Sequence, residues 1–276
     1  MTDTSETIAP DPFETRDAAA TTGADRSARE AVPLAHEAIH ETVAQILGAQ
    51  TRRGLLLDVP AGEGALAARL LGAGFDVRCC DLYPQIFRLP RVEIKGGDLS
   101  GTLPYADASF DFITCVEGLE HIENPQQAIR EFARLLRAGG EIVVTVPNIL
   151  NIEERVKWLL HGYTSHFKPI SREALARVRA AEMGEMEEVA LHINPISYAE
   201  LRYTLEKYGF EIQKLYRDKP KVHLWAYWPL VALIRLVARL TPAAKRRERW
   251  SEELQSDEIL LGGNTLIVHA VKQSNT

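Results

Sequence analysis

The segment best suited to bind a ligand runs from Asp58 to Gly64 and reads Asp-Val-Pro-Ala-Gly-Glu-Gly. It follows a short apolar run and leads directly into a helical pattern. A strand that turns tightly into a helix presents free backbone N–H groups at the carboxyl edge of a sheet, where a polar ligand can sit. Gly62 and Gly64 have no Cβ atom, so the backbone can approach that ligand closely. Asp81, at the end of the next predicted strand, is well placed to accept hydrogen bonds from both hydroxyls of a ribose.

The residue types in this loop narrow the choice of ligand. The loop lacks the G-x-G-x-x-G spacing that seats a pyrophosphate, which argues against a nicotinamide dinucleotide. Asp58 is expected at the mouth of the pocket, where its carboxylate would repel a phosphate and attract an ammonium group. A ligand that carries a ribose and an amine but no phosphate is S-adenosylmethionine. The loop therefore favours this cofactor.

A second group of residues with useful chemistry is Glu117, Glu120 and His121. In a helix, positions i, i+3 and i+4 share one face, so all three side chains could point into one cleft. Two carboxylates and an imidazole suit a divalent metal ion, and His166 or His192 could complete such a site. Without a metal, the same residues could position a substrate, with His121 as a general base. We predict His121 and Glu117 as the catalytic residues and assign no residue to a metal.

Short apolar runs alternate with helical patterns in the segment that carries these residues. Near-continuous apolar strands that alternate with helices predict a parallel sheet covered on both faces, which is a Rossmann-like α/β fold. For the helix at 125–137, Asn124 is the expected N-cap and Gly139 the expected end. The predicted strands are 55–59, 76–80, 92–95, 110–116, 141–146, 210–216 and 264–271, and the predicted helices are 34–48, 64–71, 125–137, 152–160, 172–181 and 197–208.

Several ordered motifs carry a family resemblance: Leu55 to Gly64, Asp81, Gly97-Asp98-Leu99, Leu103-Pro104, Phe110-Asp111, Cys115 to His121, and Leu136 to Gly140. Their order and spacing resemble the class I S-adenosylmethionine-dependent methyltransferases, and most closely the branch that contains the ubiquinone-biosynthesis O-methyltransferases. The resemblance covers residues 54–148 well and is weaker at 192–216 and 264–272.

The resemblance implies a seven-stranded, mostly parallel sheet with an antiparallel last strand and helical insertions. It also implies S-adenosyl-L-methionine as the cofactor, with its ribose at Asp81, its adenine at Asp98 and the Leu99 backbone, and its methionine portion at residues 60–64. Pro60 stands where the family usually has glycine, so the loop must accept a φ of about −65° and loses one backbone donor. The implied cofactor-binding residues are Asp58, Pro60, Ala61, Gly62, Gly64, Asp81, Leu82, Asp98, Leu99 and Cys115.

The chain of 276 residues has a net charge of −6, but the charge is unevenly distributed. Residues 1–32 predict a disordered acidic tail, because the first 30 contain seven acidic residues, three arginines and few large apolar groups. A single methyltransferase domain is expected at 33–276. Within it we predict a cofactor-binding core at 54–148, a lid on the substrate side at 149–190, and an amphipathic basic insertion at 218–262.

The insertion suggests a partner. Residues 225–240 are apolar apart from two arginines, and the segment 217–249 contains nine basic and two acidic residues. The apolar run is too short to span a bilayer, which takes ~20 residues. Aromatic residues beside an amphipathic helix with a basic flank suit peripheral contact with an anionic membrane through 225–249. A helix packed on the domain, or a dimer contact, is the alternative.

The predicted activity is the transfer of a methyl group from S-adenosylmethionine to a small or lipid-linked acceptor, with oxygen preferred. An NAD(P)-dependent Rossmann oxidoreductase and a non-catalytic membrane-surface protein on a methyltransferase fold are the alternatives. The mildly acidic total excludes a dedicated nucleic-acid binder. Three cysteines make no disulfide framework, and no secretory signal is predicted. We therefore expect a cytoplasmic protein, at the inner face of the membrane where the insertion binds lipid.

Overall fold

A computed structural model describes residues 31–173, 175, 176, 191–221 and 224–274. Most of the predicted acidic tail and most of the helix predicted at 172–181 lie outside these ranges. Seven strands form one sheet in the order β3-β2-β1-β4-β5-β7-β6. The strands are β1 (Leu55–Asp58), β2 (Asp76–Asp81), β3 (Ile94–Gly96), β4 (Phe110–Cys115), β5 (Leu136–Pro147), β6 (Phe210–Arg217) and β7 (Thr265–Lys272).

The sheet has the predicted direction pattern. Strands β1 to β5 pair in parallel, whereas β7 is antiparallel to both of its neighbours, β5 and β6. The predicted fold class is therefore confirmed. Because β6 runs in the same direction as β5, the chain that follows β6 leaves the sheet at the carboxyl edge of the parallel strands. The loops after β1, β2, β4 and β5 and the insertion at 218–262 all begin at this one edge.

Eight helices lie among the described residues. Asn124 caps α3 as predicted, since its Oδ1 accepts a hydrogen bond from the Gln127 N–H at 3.1 Å. The predicted end of this helix at Gly139 is wrong, because Leu136 already pairs with Phe110 of β4 and strand pairing overrides the helical pattern. The helices are α1 (Glu37–Gly48), α2 (Ala65–Gly72), α3 (Pro125–Leu135), α4 (Ile152–His161), α5 (Tyr198–Lys207), α6 (Trp228–Leu240), α7 (Ala243–Glu248) and α8 (Asp257–Leu260).

Apolar side chains cover both faces of the sheet. Consecutive strand residues point to opposite faces, so Leu57 packs with α3 and α5, whereas its neighbour Leu56 packs with α1 and α2. This double burial explains why the strands read as continuous apolar runs. The helical residues in the two clusters are Ile129, Phe132, Leu201 and Leu205 on the first face and Ile39, Val43, Leu47, Leu66 and Leu70 on the second.

Two buried asparagines attach the segment after β5 to the end of the insertion. Asn151 caps α4, since its Oδ1 accepts from the Glu154 N–H at 3.0 Å. Its Nδ2 donates to the backbone oxygens of Asn148 and Gly263, both at 3.0 Å. Asn148 Nδ2 in turn donates to the Ile259 oxygen at 2.9 Å. A small apolar cluster beside them joins α4, α6 and α8 through Ile152, Val231, Leu260 and Leu261. No helix in the described ranges combines the length and apolarity that a bilayer span requires.

Replacing Asn151 with alanine should lower the free energy of unfolding by about 2–4 kcal/mol, because the cap and two hydrogen bonds to buried backbone oxygens are lost together. Asn124→Ala is the matched control: this exposed residue provides only a cap, so its loss should cost about 1 kcal/mol. Urea denaturation of both variants measures the difference. Equal losses of unfolding free energy in the two variants would show that Asn151 contributes only as the N-cap of α4.

Candidate functional site

The loop after β1 is held in a tight turn at the carboxyl edge. The Ala61 N–H donates to the Cys80 oxygen at 3.0 Å, and the Gly64 N–H donates to the Ala61 oxygen at 2.9 Å. Gly62 and Gly64 have φ angles of 54° and 97°, which disfavour side chains with a Cβ atom. A Cβ at Gly62 would also lie 2.9 Å from Leu34 Cδ1. The turn therefore requires glycine for its backbone conformation and for its close packing.

Asp81 binds this loop directly. Its Oδ2 accepts from the Gly62 N–H and its Oδ1 from the Tyr83 N–H, both at 2.8 Å. A carboxylate oxygen has more than one lone pair, so each can still accept a hydroxyl hydrogen. The carboxylate is thus oriented by the backbone of the turn, as a ribose-binding acid needs to be.

Asp58 lies beneath the loop, with 1% of its surface exposed, and not at the open mouth that the sequence suggested. Its Oδ1 accepts from the Thr114 hydroxyl at 2.8 Å, and Oδ2 has no well-formed hydrogen bond to the described residues. Burial raises the pKa of Asp58 to about 7, the carboxylate of Asp81 raises it further, and the Thr114 hydrogen bond opposes the shift. Two neighbouring carboxyl groups favour a cationic ligand here over a phosphate.

The other predicted cofactor residues surround the same edge. The Asp98 carboxylate accepts from the Ser100 N–H at 2.7 Å and is exposed after β3, beside the buried Leu99. Cys115, at the end of β4, is fully buried. The remaining ones follow β1 and β2: Pro60 is partly buried, Ala61 is buried and Leu82 is exposed. The Val59–Pro60 peptide bond is cis, and a Cβ at Gly118 would lie 2.7 Å from the Pro60 ring.

The helical face expected for Glu117, Glu120 and His121 is absent. Glu117 has a φ of 49°, and only Leu119–His121 forms a short 3₁₀ turn, so the helical spacing does not apply. The Glu117 backbone and side chain instead contact Thr145: the Glu117 N–H donates to its hydroxyl at 2.8 Å, and that hydroxyl donates to Oε1 at 3.1 Å. Burial raises the pKa of Glu117 to about 7.

A histidine cluster forms at the turn. Potential ligand atoms of Glu120, His121 and His192 all lie within 4.8 Å of one another. The rings of His121 and His192 are nearly perpendicular, with their centroids 4.7 Å apart. The His166 ring stacks on that of His192, with a centroid distance of 6.0 Å. His121 Nδ1 lies 3.0 Å from the Leu191 oxygen, and since a carbonyl oxygen can only accept, this contact requires a proton on Nδ1. Burial, with His121 and His166 nearby, lowers the pKa of His192 to about 4, so its ring is neutral at pH 7.

Glu120 is the most unusual member of this cluster, because it is fully buried and neither carboxyl oxygen has a hydrogen-bond partner among the described residues. Burial and the nearby Glu117 raise its pKa well above the usual range. Its backbone oxygen accepts from the N–H groups of Ile193 and Asn194 at 2.9 and 3.0 Å, which fixes the His192 segment against the turn. Buried polar oxygens without partners indicate a site for a ligand or cation.

Sequence reasoning missed Thr114 and Thr145, which contact the two predicted acids Asp58 and Glu117. A signal was available, since each threonine interrupts an otherwise apolar run near the end of a buried strand. A polar residue in such a place needs a partner.

Comparison with known proteins places these features in a family. Residues 57–144 match the family described as "Methyltransferase domain". A ubiquinone biosynthesis O-methyltransferase of Xanthomonas oryzae pv. oryzae is 29% identical over 155 residues, 49% of this chain and 64% of the relative. A demethylmenaquinone methyltransferase of Renibacterium salmoninarum is 34% identical over 94 residues, 32% of this chain and 39% of the relative. The structure of a SAM-dependent methyltransferase from Thermotoga maritima has a TM-score of 0.51 at 16% identity, covering 85% of this chain and 89% of that one.

The similar proteins are methyltransferases, and the fold and site described above are consistent with that class. The chain aligns with less than two thirds of the length of the Xanthomonas relative, and the Thermotoga structure shows the fold. The sheet order, the loop after β1 and the acid after β2 are the features expected of a class I S-adenosylmethionine-dependent methyltransferase domain. They lie in or around residues 57–144, which match the methyltransferase domain family.

Proposed function

We propose that the protein transfers a methyl group from S-adenosylmethionine to a small or lipid-linked acceptor. The observation that carries the proposal is the Asp81 carboxylate, fixed by the backbone of Gly62 and Tyr83 at the carboxyl edge of the sheet. The residues present fit this cofactor, since Asp81 is oriented to accept hydrogen bonds from ribose hydroxyls and the Asp58 carboxyl beneath the loop favours a cationic ligand. The same two acidic residues disfavour the pyrophosphate of a nicotinamide dinucleotide.

Calorimetric titration with S-adenosylmethionine or S-adenosylhomocysteine tests this proposal. We expect a dissociation constant in the micromolar range. The absence of both heat and a thermal shift would contradict the proposal. Tight binding of a nicotinamide dinucleotide would instead favour the oxidoreductase alternative.

The protein groups need only orient the reactants and remove a proton. When bound, S-adenosylmethionine supplies a methyl group that its sulfonium already activates. Asp81 would hold the ribose, Asp98 and Leu99 the adenine, and residues 60–64 the methionine portion. Across the edge, His121 Nε2 would accept the proton of an acceptor hydroxyl, and the oxygen would take the methyl group as the methyl–sulfur bond breaks and S-adenosylhomocysteine leaves. Glu117, held by Thr145, would line the acceptor side.

An oxygen on an aromatic ring is the preferred acceptor atom. The half-buried His121–His192 pair supports this preference, because a phenol must lose its proton whereas carbon and nitrogen acceptors need less help. The names of the relatives add support: one is a ubiquinone biosynthesis O-methyltransferase and another a demethylmenaquinone methyltransferase. We place the protein in the cytoplasm, at the inner face of the membrane when its acceptor is lipid-linked, with no nucleic-acid partner.

A divalent cation in the histidine cluster is a second component of the proposal, supported by the Glu120 carboxylate, which lies beside two imidazoles and has no hydrogen-bond partner among the described residues. Glu120→Gln should weaken Mn²⁺ or Zn²⁺ binding by at least ~10-fold, since a charged ligand is replaced by a neutral amide. Calorimetry with the metal alone measures this change. Glu123→Gln, an exposed residue of the same segment, is the control and should bind metal like the parent protein. Equal affinities in the two variants would remove the cation from the mechanism.

A further inference from the structure

Helix α6 has an apolar face that points away from the domain. Its inner face packs through Leu230, Val231 and Ile234. A surface helix normally presents polar residues on the opposite side, but here that side is mostly apolar, with Arg239 as its exposed charged residue. The exposed large apolar residues, which extend into the turn before the helix, are Trp225, Trp228, Leu233, Leu236, Val237 and Leu240. We call this set the outer face of α6.

The sequence left open whether the apolar surface opposite Arg235 and Arg239 packs on the domain or contacts a partner. In the structure, Arg235 turns toward the domain and binds Asp257 at 2.6 Å. The inner face already buries the residues that the domain needs. The outer face, with Trp225 77% and Leu240 75% exposed, is left without a partner in the described chain.

The last turn of α4 supplies a second exposed apolar patch. Leu159 is 81% exposed and is flanked by exposed Trp158 and Leu160. The first residue of the same helix, Ile152, packs with Val231 of α6, so the two helices share one small cluster. Exposed large apolar residues concentrated on two attached helices mark an interaction site.

The charges beside the outer face indicate what binds there. A groove of about 260 Å³ is lined by Arg235, Arg239, Arg246 and Ser251, together with Ala238, Glu252 and Gln255. Arg235 pairs with Asp257, and Arg246 lies 3.7 Å from Glu252, whereas Arg239 has no ion pair within the described residues. Guanidinium groups suit phosphate oxygens. Exposed bases follow on and after α7: Lys245, Arg247 and Arg249, with Glu248 among them.

This charge selects among the occupants that an apolar face could have. A second copy of the chain, paired about a two-fold axis, would place the same basic groups of the two copies close together, and their repulsion would destabilise the dimer. A bilayer with anionic lipids brings phosphates to the arginines and an apolar boundary to the tryptophans and leucines.

We propose that the outer face of α6, with the last turn of α4, inserts into the interface of an anionic lipid bilayer, and that the arginine groove binds a lipid phosphate. Both α4 and the insertion leave the sheet at the edge that carries the histidine cluster. Docking therefore brings the acceptor side of the site to the lipid. That the acceptor is itself lipid-linked rests on the proposed function, whereas the docking does not.

Flotation of the full chain with vesicles tests the docking. We expect it to float with vesicles of phosphatidylcholine mixed with phosphatidylglycerol and to float much less with phosphatidylcholine alone. The double variant Leu233→Asp, Leu236→Asp should lose at least ~10-fold in vesicle affinity, since two apolar contacts become charges at an anionic surface. Leu71→Asp, an exposed leucine on α2, is the matched control and should float like the parent. Leu159→Asp tests the α4 contribution separately.

Two further measurements test whether the arginine groove binds a lipid phosphate or a soluble anion. Arg239→Gln should reduce binding to anionic vesicles without changing the residual binding to neutral ones. Inorganic phosphate should displace the protein no better than sodium chloride at equal ionic strength, because a free phosphate lacks the apolar part of the surface. Stronger displacement by phosphate would overturn the lipid assignment in favour of a soluble anion.

Two outcomes contradict the docking outright. Equal flotation of the parent and the double variant would show that the outer face does not meet lipid. A parent that is dimeric by light scattering and a double variant that is monomeric would assign the face to a second copy. Affinity for S-adenosylhomocysteine is measured in every variant and should stay unchanged, so a failure of docking remains distinct from a failure of the proposed function.

Discussion

Asp81→Ala should weaken the binding of S-adenosylhomocysteine by ~100-fold or more. Two hydrogen bonds that the carboxylate accepts from the ribose hydroxyls would be lost, at about 1.5–3 kcal/mol each, and each 1.4 kcal/mol is a factor of ten. The variant also frees the N–H groups of Gly62 and Tyr83, which loosens the turn that approaches the ligand. Titration calorimetry measures the affinity, and circular dichroism checks that the fold remains.

The same strand provides the control. Asp76 begins β2 at the opposite edge of the sheet, is exposed, and pairs with Arg78. Asp76→Ala should change the affinity by less than about twofold, because exposed ion pairs contribute little. Asp81→Asn separates the two roles of the site residue, since the amide oxygen can still accept one backbone hydrogen bond. An Asp81→Ala variant that binds like the parent would contradict the assignment of the ribose site.

His121→Ala should reduce the rate of methyl transfer to a catechol acceptor by about 10²–10³-fold, the usual contribution of a positioned general base. Cofactor affinity should remain at the parent value, because the histidine lies on the acceptor side of the edge. His161→Ala, which removes an exposed histidine at the end of α4, should leave the rate unchanged. Steady-state kinetics of both variants measures these effects.

A more acidic acceptor distinguishes general-base catalysis from a structural role. A nitrocatechol is already ionised near neutral pH and needs no base, so the His121→Ala defect should shrink with it. An equal loss with both acceptors would make His121 a positioning residue. A defect that disappears only when metal is added would assign the proton removal to the cation and not to the imidazole.

The loops of this fold could be predicted from the sequence because each follows a buried apolar strand. Asp81 was placed correctly at the end of β2 by that argument, and Asn124 at the start of α3 by its capping chemistry. The end of α3 could not be predicted in the same way, because Leu136 pairs with Phe110 of the neighbouring strand β4 and does not continue the preceding helix. Pairing between segments distant in sequence is invisible to a local pattern.

The histidine cluster shows a similar limit of local reasoning. Helical spacing grouped Glu117 with Glu120 and His121, but the positive φ of Glu117 turns it toward Thr145 instead. His192 was a candidate only by residue type. Its position follows from the backbone of Ile193 and Asn194, which bonds to the turn more than seventy residues earlier in the chain. The orientation of helix α6 could not be predicted for another reason: apolar residues lie on both of its faces, and composition does not say which one the domain buries.

The long connection between β6 and β7 makes the insertion separable from the rest of the fold. These strands are antiparallel neighbours, so residues 218–262 form the loop of a hairpin, closed at its base by a bridge between Pro220 and Gly262. Residues can be gained or lost beyond that bridge without shifting the register of any strand. Evolution can therefore exchange the segment that we propose docks on lipid while the edge proposed to bind the cofactor stays as it is.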